Sequence, residues 1–172
     1  FRVEKGKNTD IQLVMRDSKE EISVIGAMDL EALYTPVDGD GSTAVKKSIL
    51  STTGRGYFLV MVFGNGDEPS NHAIRDVQSM LPELGQWGRP VMVFGQSGTN
   101  VNKLAKTLDG SDIHFGIDTG SEIRNMLCNG CHSESKTLPV IAMCDSFGRI
   151  VYVSTGYNTS LASQIRTVIA GI

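Results

Sequence analysis

The residues best suited to chemistry are Cys128-Asn129-Gly130-Cys131-His132. Three chemistries use that spacing. Two thiols two residues apart suit thiol–disulfide exchange, provided one of them ionises near neutral pH. Cys-x-x-Cys-His is also the attachment signature of c-type haem. Haem would need an axial pocket and a distal ligand, and a lone five-residue match is weak support. A zinc knuckle needs four ligands, and only Cys144, His132 and His114 are at hand, with no second Cys pair. The motif falls at the end of a short helical pattern, ahead of Ser133-Glu134-Ser135-Lys136. A helix C-terminus disfavours the negative thiolate. Cys128 and Cys131 therefore read as a loop pair, either free or closed into a local disulfide, with no metal and no cofactor. Thiol–disulfide exchange through them is the alternative activity.

The other short motifs read as structure. Cys144 lies in an apolar run and behaves as a small hydrophobe. Trp87 closes a helix before a strand. Gly95-Gln96-Ser97-Gly98 lacks the Lys and Ser/Thr of a phosphate loop. Asn158-Thr159-Ser160 fits a glycosylation sequon, but Ser160 reads better as the cap of a last helix.

The bulk numbers exclude several classes. The chain has 172 residues, 40% hydrophobic and 20% charged, enough for one good-sized domain with or without an appendage. A net charge of −3 gives no basic footprint and argues against a nucleic-acid partner. No apolar run approaches the ~18 residues of a membrane-spanning helix. Three cysteines are too few for a disulfide scaffold. The chain opens on Phe1 without a visible signal peptide, as a processed chain or an excised piece would.

The elements that must position these residues follow from periodicity. Residues 1–53 form a β-rich lead-in, with a hairpin expected around Ile11, Leu13, Met15 and Ile22, Val24, and a loop at 38–42. From residue 54 the pattern alternates. Residues 57–63 are a continuous apolar run, as in a strand buried on both faces. A helix opened by Asp67 or Glu68, with Pro69 in its first turn, buries Ile74, Val77, Leu81 and Leu84 at helical spacing. A strand at 91–94, a helix on Val101, Leu104 and Leu108, a strand at 113–117 and a short helix from Ser121 come next. Leu138-Pro139 then heads a strand, where a missing N–H is tolerated. A tight turn through Asp145 to Gly148 returns the chain, and Leu161, Ile165 and Val168 line a closing helix. This is α/β, a mixed sheet flanked by helices.

That order, with Pro139 at the head of the penultimate strand and Gly156-Tyr157 after the last, resembles thioredoxin-like proteins of the thiol-oxidoreductase and peroxiredoxin type. The resemblance covers about residues 56–172. It implies a cis Leu138–Pro139 bond and an active position at the start of the first sheet-flanking helix. Here that position is Asp67-Glu68-Pro69-Ser70-Asn71-His72, without a cysteine, so neither a redox dithiol nor a peroxidatic thiol is expected there. Glu68, Asn71 and His72 are candidates for a polar pocket against Pro139, with His72 as acid/base or ligand contact. The plainer reading is an ordinary helix start with an acidic first turn.

Residues Thr53-Gly54-Arg55-Gly56-Tyr57-Phe58 and Glu68-Pro69-Ser70-Asn71-His72-Ala73-Ile74-Arg75-Asp76, with Leu138-Pro139-Val140 and Gly156-Tyr157, resemble the C-terminal region of secreted transglutaminase-like proteins of Bacteroides-type bacteria. The resemblance implies a thioredoxin-like domain at 54–172, redox-inactive and accessory, partnered by an upstream transglutaminase-like domain. It implies a secreted or periplasmic place. The Cys-His-Asp machinery of that upstream domain would lie outside this chain.

Overall fold

The computed structural model describes residues 24–37, 45–110, 112–118, 120–133 and 135–172. The hairpin expected around Ile11 to Ile22 and the loop at 38–42 lie outside the described residues. In chain order the elements are β1 (Gly26–Ala27), β2 (Leu33–Val37), β3 (Lys47–Ser48), α1 (Ile49–Thr53), β4 (Phe58–Val62), α2 (Glu68–Ser79) and α3 (Leu81–Trp87). They continue as β5 (Val91–Gly95), α4 (Gly98–Thr107), β6 (Ile113–Ile117), α5 (Glu122–Gly130), β7 (Val140–Cys144), β8 (Arg149–Thr155) and α6 (Leu161–Gly171).

The strands make one mixed sheet in the order β1-β8-β7-β4-β5-β6-β2-β3. β4, β5 and β6 run parallel, while β7 lies antiparallel to β4 with Val62 opposite Val140. The lead-in extends this sheet at both edges. β1 pairs with β8, and β2 pairs with β6.

Because β4, β5 and β7 are central, both of their faces must be covered, and every residue in them is buried. Side chains alternate between the faces. Phe58, Val60, Val62, Met92, Phe94, Val140, Ala142 and Cys144 pack with Ile49 of α1 and Ile123, Leu127 and Cys128 of α5. Leu59, Met61, Phe63, Val91, Val93, Ile141 and Met143 pack with Ala73, Val77, Leu84, Leu104, Leu161 and Ile165, from α2, α3, α4 and α6. The result is a three-layer α/β domain.

Two helical expectations need correction. The single helix through Ile74 and Leu84 is two helices that meet at Met80, which sits at φ −98°, ψ 0°. Pro82 falls in the first turn of α3, where its missing N–H does no harm but prevents α2 from running on. At α6, Ser160 occupies the cap position without a side-chain bond; Asn158 Oδ1 instead accepts the Ser160 N–H at 2.9 Å.

Candidate functional site

The sequence places the candidate site at the start of α2. Asp67 caps that helix, its carboxylate accepting the Ser70 N–H at 3.1 Å. Ser70 is fully buried, and its Oγ accepts the Gly64 N–H at 2.7 Å. This short ring ties the β4–α2 loop to the first turn, so the buried hydroxyl serves the fold.

The three polar candidates diverge from there. Glu68 is exposed and pairs with Arg75 at 3.3 Å. Asn71 donates a long bond, 3.4 Å, to the Gly66 carbonyl and lines a cleft toward α4. His72 lies 3.5 Å from the Asp76 carboxylate and 4.9 Å, ring to ring, from Tyr157. Pro139 is buried, its peptide bond from Leu138 is cis, and its carbonyl accepts the Gly156 N–H at 2.9 Å. No hydrogen bond, ion pair or ring contact among the described residues joins Pro139 to Glu68, Asn71 or His72. The link between them is indirect, through Tyr157, which follows Gly156.

The cysteine motif lies on the other face of the sheet, and the expectation of a loop pair is corrected there. Cys128 belongs to the last turn of α5, is fully buried, and packs in the same layer as Cys144 and Ile150. Cys131 follows the last helical residue. Both thiols are free, as is Cys144. The Ser133 N–H returns to the Cys128 carbonyl at 2.8 Å, and the His132 N–H to the Asn129 carbonyl at 3.2 Å. His132 sits at φ 56°. Those two bonds around a left-handed residue are a Schellman stop. The Cys-x-x-Cys-His string thus terminates a helix.

The electrostatics follow from that place. Burial pushes the Cys128 thiol up, the Cys131 thiol beside it adds to the rise, and Lys136 and Arg124 only partly oppose it. Burial also pushes the Cys144 thiol up, with Asp145 adding to the effect. Its S–H points at the Met28 thioether, 3.5 Å away.

A pH dependence follows. A thiol whose folded pKa is raised stays protonated in the folded chain while the unfolded chain has begun to release its proton. Its contribution is complete below the ordinary thiol pKa of ~8.5 and is lost as pH climbs toward the folded value, by up to about 1.4 kcal/mol per unit per thiol. The urea midpoint is therefore expected to hold from pH 6 to 8 and fall above pH 9. Cys144→Ala should show a shallower alkaline fall. An identical fall in that variant would assign the effect to other groups.

Two features of this site had no forecast. Asp118, 3% exposed, caps α5 by accepting the N–H groups of Ile123 and Arg124 at 2.9 and 3.1 Å. Ser121, the expected start, has φ 59° and makes no side-chain cap. Second, β1 crosses the end of α5 so closely that a Cβ on Gly26 would sit 2.3 Å from the Gly130 carbonyl oxygen. Only glycine fits there. The described residues hold no group of three or more His, Cys, Asp or Glu side chains placed to bind a metal. They include no helix long and apolar enough to cross a membrane.

This architecture is the thioredoxin-like fold. No protein-family model matches the sequence, and no curated protein matches it. Similar solved structures include the bacterioferritin comigratory protein of Xanthomonas campestris, at TM-score 0.61 and 10% identity over 86% of this chain and 98% of that one. The thioredoxin domain of a thiol-disulfide oxidoreductase from Bacteroides vulgatus superposes at 0.56, with 13% identity over 83% and 97%. The exposed lipoprotein thioredoxin of Streptococcus pneumoniae superposes at 0.54, with 16% identity over 82% and 100%. At such identities the likeness establishes the fold.

Proposed function

We propose that this chain is a redox-inactive thioredoxin-like domain that serves as an accessory or binding module of a larger protein. The observation that carries the reading is the start of α2. Where the fold offers a helix N-terminus to stabilise a thiolate, this chain has Asp67-Glu68-Pro69-Ser70-Asn71, with Asp67 and Ser70 bonded into the loop. The Cys128 and Cys131 thiols lie instead at a helix end of the opposite polarity, and Cys128 is buried.

The finer parts of the proposal are a transglutaminase-like parent, with a lead-in at 1–53 and the module at 54–172, and a secreted or periplasmic place. The parent rests on the resemblance through Glu68 to Asp76 and Leu138-Pro139-Val140. The place gains support from a structural neighbour that is an exposed lipoprotein.

The test is catalytic. The domain is expected to reduce insulin and to consume peroxide no faster than the Cys128→Ser, Cys131→Ser variant. Turnover that disappears in that variant would assign thiol–disulfide exchange to the pair.

A further inference from the structure

A cleft of about 250 Å³ opens between α2 and α4, beyond the carboxyl ends of the parallel strands β4 and β5. In open α/β sheets ligands bind beyond those ends. It is on the opposite face of the sheet from Cys128. Its floor is apolar, made by Ile74 and the buried Leu104. Its walls carry Asn65, Asn71, Asn100 and Lys103, and no Asp or Glu lines it.

Asn100 is the informative residue. Its side chain is almost wholly enclosed, at 6% exposure, yet it lines the cleft. Its Oδ1 accepts the Gln96 N–H at 2.9 Å. With the oxygen so held, the amide turns its two Nδ2 hydrogens the other way, and no described residue accepts from them. The Nδ2 is not among the fully buried atoms that lack a partner, so it stays open to the cleft, where an entering acceptor can take its hydrogens. Lys103, one helical turn further along α4, adds an ammonium that pairs with no carboxylate among the described residues. The Asn71 amide, bonded to the Gly66 carbonyl only at 3.4 Å, can turn to a better acceptor.

We propose that this cleft binds a small carboxylate carried next to a neutral amide, as in an N-acylated amino acid. The carboxylate lies between Lys103 and the Asn100 Nδ2. The secondary amide, both donor and acceptor, matches the Asn65 and Asn71 amides, which are likewise both. A short aliphatic side chain covers Ile74 and Leu104. The lack of an acidic group selects against a free amino acid, whose ammonium would lose its hydration without gaining a counter-charge. With a single cation in the cleft, a second carboxylate would also go unpaired.

The experiment is a titration of the ¹⁵N-labelled chain with N-acetyl-leucine, N-acetyl-leucinamide and leucine. N-acetyl-leucine is expected to give saturable amide shifts at Gly66, Asn71, Lys103 and Leu104, and the other two compounds none. Lys103→Gln should weaken binding by about tenfold, the worth of one charge-assisted hydrogen bond. Asn100→Asp keeps the acceptor for the Gln96 N–H but sets a carboxylate against the ligand, and should abolish binding while leaving the remaining amide spectrum in place. Absence of saturable shifts, an equal response to the leucinamide, or binding indifferent to both variants would each overturn the proposal. Insulin reduction by the same samples bears on the thiols alone, so the two readings fail separately.

Discussion

Replacing Glu68 and Asn71 together by cysteine is expected to create insulin reduction that depends on both new thiols. The pair would stand two residues apart at the start of α2, with Pro69 and Ser70 between them. A thiol at position 68 sits among the unpaired N–H groups of the first turn, which favour its anion. It also gains the Arg75 guanidinium, which now pairs with the Glu68 carboxylate at 3.3 Å. Lowering a thiol pKa from ~8.5 to ~7 raises the thiolate fraction at pH 7 on the order of tenfold. Little should be lost in return, since the Glu68 side chain is 72% exposed and its ion pair is a surface one. The substitutions are best made in the Cys128→Ser, Cys131→Ser background. If Glu68→Cys, Asn71→Cys folds but its first thiol titrates like a free cysteine, the start of α2 is not an electrostatic active position. The inactivity proposed for the chain would then need another cause.

Phe94→Ala is expected to be the most damaging single substitution for stability. Phe94 is fully buried on β5, and its ring meets the Tyr34 ring edge-on at 5.6 Å, with the planes 86° apart. It lies so close over Gly116 of β6 that a Cβ there would come within 2.8 Å of its ring carbon. Removing the ring empties the space between β2, β5 and α5, which glycine cannot fill. Loss of a buried Phe costs about 3–5 kcal/mol, a large part of the ~5–15 kcal/mol that holds a domain together. For a chain of this length the thermal midpoint should drop by roughly 10 °C. Phe147→Ala is the control, because that ring is 69% exposed and should move the midpoint little. A loss below about 1 kcal/mol for Phe94→Ala would mean that the layer repacks freely.

The fold was largely legible because its central strands leave little choice. The apolar runs at 57–63, 91–94 and 140–144 are too short for helices and too apolar for half-exposed strands, so each must be covered on both faces. The turn from Asp145 to Gly148 and the helical spacing of Leu161 and Ile165 read equally well. The edges were less legible. Residues 26–27 and 33–37 join the sheet through backbone pairing with β8 and β6, which leaves little mark on side-chain pattern.

Pro82 went unread as a break between α2 and α3. Its first-turn position is permissive, so only the preceding Met80 reveals the interruption. At the candidate site, sequence identified the missing thiol at α2 and the unfavourable helix end at Cys128. It did not reveal that Cys128 faces the core, although Ile123, Leu127 and Cys128 follow a helical stripe that points there. The Asp118 cap and the Asn100 amide were out of reach. Each is defined by groups brought together in space, Asp118 by a turn at Ser121 with positive φ and Asn100 by the approach of α2 to α4.

The most direct test of the central claim is the pH dependence of thiol alkylation, followed residue by residue in the native chain. Burial and the helix end predict that Cys128 ionises above the ordinary thiol range, with slow alkylation near pH 7 that speeds up only in alkali or on unfolding. A Cys128 that alkylates rapidly near neutral pH, with a midpoint below that range in the folded chain, would contradict the account and make the pair a working dithiol.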